Sequence, residues 1–85
     1  MQEEIEKIRR VRKKHTPRLM KKANVIGVGV GYRHQAGQQT DELALVVMVS
    51  RKIPIHLLSP RDVIPAVIDG VPVDVQEVGE LRALA

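Results

Sequence analysis

Asn24-Val25-Ile26-Gly27-Val28-Gly29-Val30-Gly31-Tyr32-Arg33 is the stretch that decides the fold. Its period is two. Ile26, Val28, Val30 and Tyr32 fall on one side of an extended chain and Val25, Gly27, Gly29 and Gly31 on the other, which is the alternation of a strand with a glycine face. Glycine weakens a strand and gives it nothing to pack, so three on one face predict that another backbone or a helix lies close against them. Downstream, the polar run His34 to Thr40 contains Gly37 and predicts a hairpin loop. A second strand is expected over Glu42 to Arg51, with Leu43, Leu45, Val47 and Val49 on one face and Ala44, Val46 and Met48 on the other. Apolar residues on both faces predict that both are covered.

Farther along, residues 52–65 hold three prolines and exclude a long helix, while Ser59-Pro60-Arg61-Asp62 has the order of an N-cap, a first-turn proline and a first-turn acid. A short helical crossover is expected there. Val67-Ile68 and Val71, Val73, Val75 flank Asp69-Gly70, a pair that supplies the positive φ angles of a tight hairpin turn. Pro72 and Asp74 face the opposite way, which predicts a half-exposed last strand near an edge of the sheet.

Upstream, Ile5, Ile8, Val11 and His15 recur at helical spacing over residues 3–15, with Glu3, Glu4 and Glu6 in the first turn and Arg12, Lys13 and Lys14 in the last, as the helix dipole favours. Pro17 predicts a break, with Thr16 capping a second short helix to about Lys22. The expected fold is therefore α+β: an N-terminal amphipathic helix packed on a small, mainly antiparallel sheet with a short helical crossover. One domain spans residues 1–85, divided into a basic helical segment, 1–22, and a small sheet, 24–79. The residues expected to carry packing or interface contacts are Ile5, Ile8 and Val11 on the helix, Gly27, Gly29 and Gly31 on the glycine face, and Val71, Val73 and Val75 on the last strand.

Composition narrows the function. Leu, Ile and Val supply 27 of the 85 residues, whereas Phe, Trp and Cys are absent and Tyr32 is the sole aromatic, so the core is aliphatic and unstapled. A domain of this size buries only about 60 percent of its unfolded surface, which favours self-association. The absence of cysteine excludes thiol catalysis and disulfides and fits a reducing compartment. With a charged N-terminus and no apolar run near the roughly 20 residues that cross a bilayer, the chain is expected to be cytoplasmic, with no signal peptide and no membrane span.

Net charge is +4, but residues 1–22 carry +6 and residues 23–85 carry −2. The helix is a basic arm on a mildly acidic body. Its cations have the charge to bind nucleic acid phosphates, but no aromatic platform accompanies them, and a solvated helix face is the plainer reading. Gly27-Val28-Gly29-Val30-Gly31 lacks the third glycine of a dinucleotide fingerprint, since Tyr32 stands there, and no lysine followed by Ser or Thr makes a phosphate loop. His15, His34 and His56 lie in three different elements without metal-ligand spacing. Ser50, His56 and Asp62 are the right types for a triad, but neither serine stands in a nucleophile elbow. No catalytic, cofactor-binding or metal-binding residue is expected, and the chain is read as a non-enzyme that needs no cofactor.

The run from Asn24 to Tyr32, then Thr40 to Val49, Lys52-Ile53-Pro54, Ile64-Pro65, Ile68 to Val75 and Glu77 to Glu80, resembles the N-terminal region of a family of bacterial trypsin-like serine proteases to which the plant narrow-leaf protease is related. The resemblance covers about residues 5–80. It implies an accessory domain that precedes a catalytic domain, and because the chain stops at Ala85 no catalytic residue of that family transfers to it. Two functions follow as expectations: a module that self-associates as an oligomer or filament through strand edges and the helix stripe, or the regulatory N-terminal fragment of a longer serine protease. A small nucleic-acid-binding protein is the third.

Overall fold

The computed structural model describes residues 2–79. Helix α1 (Gln2–Leu19) is followed by strands β1 (Val25–Gln35) and β2 (Gln38–Val49), two 3-10 turns at Ile55–Leu57 and Pro60–Asp62, and strands β3 (Val67–Ile68) and β4 (Val71–Glu77). The four strands form one sheet in the order β1-β2-β4-β3. The architecture is α+β, as the periodicities predict. The sheet is mixed: β1 with β2 and β3 with β4 are antiparallel hairpins, and β2 pairs with β4 in parallel.

Helix α1 does not break at Pro17. Its proline sits in the last turn, where the lost N–H frees only the Lys13 carbonyl on an exposed part of the helix, and solvent satisfies it. Thr16 caps nothing: its hydroxyl donates back to the Arg12 carbonyl within the helix. The chain leaves the helix through turns, and Asn24 takes a positive φ of 66° before β1 begins. Asparagine accepts that conformation at less cost than most residues.

The hairpin joining β1 and β2 is tighter than the polar run suggests, because the strands reach Gln35 and Gln38 and leave only Ala36 and Gly37, both at positive φ, in the turn. The second hairpin turns at Asp69 (φ 50°) and Gly70 (φ 78°), the two positive angles that this pair predicts. The crossover holds two 3-10 turns in place of an α-helix, and the Ser59 side chain makes no cap bond. Prolines at 54, 60 and 65 allow nothing longer.

The core lies between α1 and one face of the sheet. Ile8, Val11 and Leu19 pack with Val25, Val28, Leu45, Val47, Val49, Ile68 and Val71, all buried. Val25 belongs to this face, contrary to simple alternation, because Ile26 is an extra residue between the Val25–Val49 and Gly27–Met48 pairs. That bulge turns the first residue of the strand inward.

The other face carries Gly27, Gly29 and Gly31 beside Met48, Val46 and Ala44. Among the described residues, neither a helix nor a second backbone packs on these glycines. Their space is filled from the neighbouring strand: a Cβ built at Gly27 would meet the Met48 methyl at 2.9 Å, one at Gly31 the Val46 Cγ2 at 3.2 Å, and one at Gly29 only the Met48 methyl at 3.8 Å. The three positions therefore differ. Gly29→Val should be neutral or stabilising by about 0.4–1 kcal/mol, since none of these glycines has positive φ and the substitution restricts the unfolded chain. Gly31→Val should destabilise by about 1–3 kcal/mol, because the buried Val46 it would meet is β-branched and stiff about its first side-chain bond. Urea denaturation of both variants measures the contrast, and equal losses would contradict it.

Candidate functional site

Beyond β2, the crossover folds alongside β4 and leaves an apolar cleft of about 280 Å³. Val49 and Val75 form its floor; Ile53, Ile55, Leu58, Val63 and Ile64 form its walls, and Arg51, Lys52 and Asp62 edge it. Two polar contacts fix this frame. Lys52 N–H donates to Glu77 Oε1 at 2.7 Å, tying the start of the crossover to the end of β4. Asp62 Oδ1 accepts from Ala23 N–H at 3.1 Å, tying the second 3-10 turn to the segment before β1.

The β4 edge in this cleft is open. Val73 N–H donates away from β2, to Ala66 O, so strand alternation points the Val75 N–H and C=O the same way, and neither has a hydrogen-bond partner among the described residues. Ile55 and Leu57 stand beside the cleft with 72% and 68% of their surface exposed. Prolines on both sides of the short turn hold them out, whereas a longer helix would have let them rotate inward.

The opposite edge of the sheet is treated differently. Residues 25–32 of β1 contain no charge and no proline, which is the composition of an edge prone to pairing. Polar side chains from elsewhere cap it: Arg12 Nε donates to Val28 O at 3.0 Å, Gln76 Nε2 to Tyr32 O at 3.3 Å, and His34 N–H donates to Asp74 Oδ2 at 2.9 Å. Asp74 and Gln76 thus reach over β2 to β1, across the face on which Ala44 and Val46 are buried. The second face of β2 is covered in part from within the chain.

A cluster that the sequence does not announce joins α1 to the β3–β4 turn. His15 Nε2 lies 2.8 Å from Asp69 Oδ2, Arg18 Nη2 lies 2.9 Å from His15 Nδ1, and Lys14 Nζ lies 3.6 Å from Asp69 Oδ2. Arginine only donates, so Nδ1 accepts, and the proton of the neutral ring sits on Nε2, facing the carboxylate. The His15 hydrogen bond, chiefly, holds the Asp69 carboxyl below its ordinary value, against an opposing desolvation and with help from the Lys14 charge. A carboxyl with a depressed folded value adds stability above its unfolded value and loses it as pH falls through the folded one. Asp69→Asn, which keeps a residue tolerant of positive φ, should therefore lower the melting temperature at pH 6. The difference from the parent should shrink as pH drops below about 4. A difference independent of pH would show that the charge is not involved.

The residues expected to carry contacts are distributed as follows. Ile8, Val11 and Val71 are buried in the core, and Ile5, Val73 and Val75 are half-buried. Ile8 and Val11 of the helix stripe are engaged in packing α1 to the sheet. Gly27, Gly29 and Gly31 are half-buried on the outer face. Ser50, His56 and Asp62 are not joined: Ser50 Oγ bonds Asn24 Oδ1 at 3.4 Å, Asp62 bonds the backbone at Ala23, and His56 is exposed. No group of three metal-ligating side chains converges among the described residues. Among those residues, too, no helix is long and apolar enough to cross a membrane.

What sequence reasoning missed is the cleft and the His15–Asp69 link. The first needs the crossover path, and the second joins residues 54 positions apart.

No curated protein matches the chain. A family model does: that of the NARROW LEAF 1 N-terminal domain matches residues 3–78, from the first turn of α1 to just past the end of β4, and so takes in both hairpins and the cleft between them. The chain belongs to the NARROW LEAF 1 N-terminal domain family.

Proposed function

We propose that this domain is a non-catalytic interaction module that associates with further copies of itself through the cleft beside β4. One observation carries the reading: Ile55 and Leu57, 72% and 68% exposed, form an apolar ridge beside an apolar cleft whose floor includes Val75, on the outer edge of β4. A ridge and a cleft on one surface are what a self-complementary contact requires, since the ridge of each copy can enter the cleft of the other. Such burial adds apolar area to a domain whose own core is small. Ser50 is bonded to Asn24 and Asp62 to the backbone at Ala23, apart from exposed His56, which supports the reading that the module has no hydrolytic activity. The absence of cysteine accords with a cytoplasmic setting.

Sedimentation velocity from 1 to 100 µM tests this. The expected result is a mass that rises with concentration, persists in high salt because the contact is apolar, and reverts to monomer in the Ile55→Asp, Leu57→Ser double variant. A monomer at every concentration would overturn the reading.

The family assignment favours a second reading, in which the domain is the regulatory N-terminal part of a longer trypsin-like serine protease and the cleft is covered by the catalytic domain. The mass of the native gene product separates the two.

A further inference from the structure

Residues 7–22 contain nine cations and no acid. The fold leaves most of that charge uncompensated, because among the described residues the only ion pair of α1 between permanently charged groups is that of Lys14 with Asp69, which His15 also meets by a hydrogen bond. Arg12 and Lys22 are drawn to backbone carbonyls of β1 and the crossover. Arg9, Arg10 and Lys13 are exposed and have no acid within ion-pairing distance.

At 100° per residue these three lie opposite Ile8, Val11 and Leu19, the buried stripe, and Lys21 follows just past the helix end. The acids of the body do not answer them. Asp62, Asp69, Asp74 and Glu77 each already accept a hydrogen bond inside the molecule, Glu42 faces Arg33, and Asp41 alone among the described acids of the body has no such partner. Among the described residues a second copy therefore offers this row chiefly Asp41 and the Glu3 and Glu4 of its own helix, fewer acids than the row and its neighbours have cations.

We propose that the outward row of α1 binds the phosphate backbone of double-stranded nucleic acid, without reading its sequence. The row is a fixed array, since the buried stripe clamps the helix to the sheet, and it is rich in arginine, whose planar fork matches phosphate oxygens. Its three helical members span about 6 Å from Arg9 to Lys13 at about 1.5 Å per residue. A duplex presents about one charge per 1.7 Å of its axis, so several phosphates fall within reach of the row. A single strand is the poorer match, because no aromatic side chain lies on the row to stack bases. A membrane is poorer too: an interfacial helix must bury an apolar face in lipid, and this helix has already buried its own.

The test is fluorescence anisotropy with a labelled 20-base-pair DNA duplex of arbitrary sequence, at 50 and 200 mM salt. Four phosphate contacts predict a loss of affinity of roughly 100-fold over that range, with equal affinity for a second duplex of unrelated sequence. The triple variant Arg9→Glu, Arg10→Glu, Lys13→Glu should abolish binding at 50 mM and leave the melting temperature unchanged, because all three side chains are exposed and glutamate favours helix. If that variant unfolds, the double variant Arg9→Gln, Lys13→Gln should still flatten the salt dependence by about two contacts' worth. No binding at 50 mM, binding that survives both variants, or binding to phosphatidylserine vesicles but not to the duplex would each overturn the proposal.

Discussion

A chain lacking residues 1–22 should show no cooperative thermal transition and should aggregate. Removing α1 takes Ile8, Val11 and Leu19 from the core and exposes Val28, Leu45, Val47 and Val49, which now line its buried side. A sheet of four strands with one bare aliphatic face cannot offset roughly 1.5 kcal/mol of ordering entropy per residue. The reverse experiment is as informative: a synthetic peptide of residues 1–22, added to the truncated chain, should restore soluble folded protein. A truncated chain that stays soluble and keeps the parent melt would refute the packing described above.

Leu45→Ala should be the most damaging single truncation in the sheet. Leu45 is fully buried, pairs with Val30 on one side and Val73 on the other, and so occupies the centre of the core face. Leucine-to-alanine changes at such sites cost about 2–5 kcal/mol. In a domain of this size each kcal/mol moves the melting temperature by about 4–8 °C, so a fall of roughly 8 °C or more is expected by calorimetry. Val67→Ala, at an exposed position of β3, is the control and should change little.

Much of this architecture can be read from the residues because the decisive signals are local. Two-residue alternation from Val25 to Tyr32 and from Leu43 to Val49 marks the central hairpin, and Asp69-Gly70 marks the second turn. Three things escape such a reading. The bulge at Ile26 reverses Val25, and nothing in Val-Ile-Gly distinguishes the extra residue from a regular one. Pro17 predicts a break, but its position in the last turn makes the lost bond inexpensive, a matter of where the helix ends and not of which residues it contains. The glycine face points to a close neighbour, and the neighbour is the flexible Met48 and the branched Val46 of the adjacent strand, not a packed layer. The cleft was the least visible of all, because it is made by the path of residues 50–66 past β4 and has no motif of its own.

The pairing of β2 with β4 also sets the order in which the chain assembles. Each hairpin closes over two turn residues, a microsecond event for an isolated hairpin. The parallel ladder joins Leu45 to Val73 across 28 positions of sequence, and closing such a loop costs about 3 kcal/mol before any contact repays it. Folding should therefore be limited by the docking of two preformed hairpins under the helix, and the proline-rich crossover that separates them becomes a kinetic spacer.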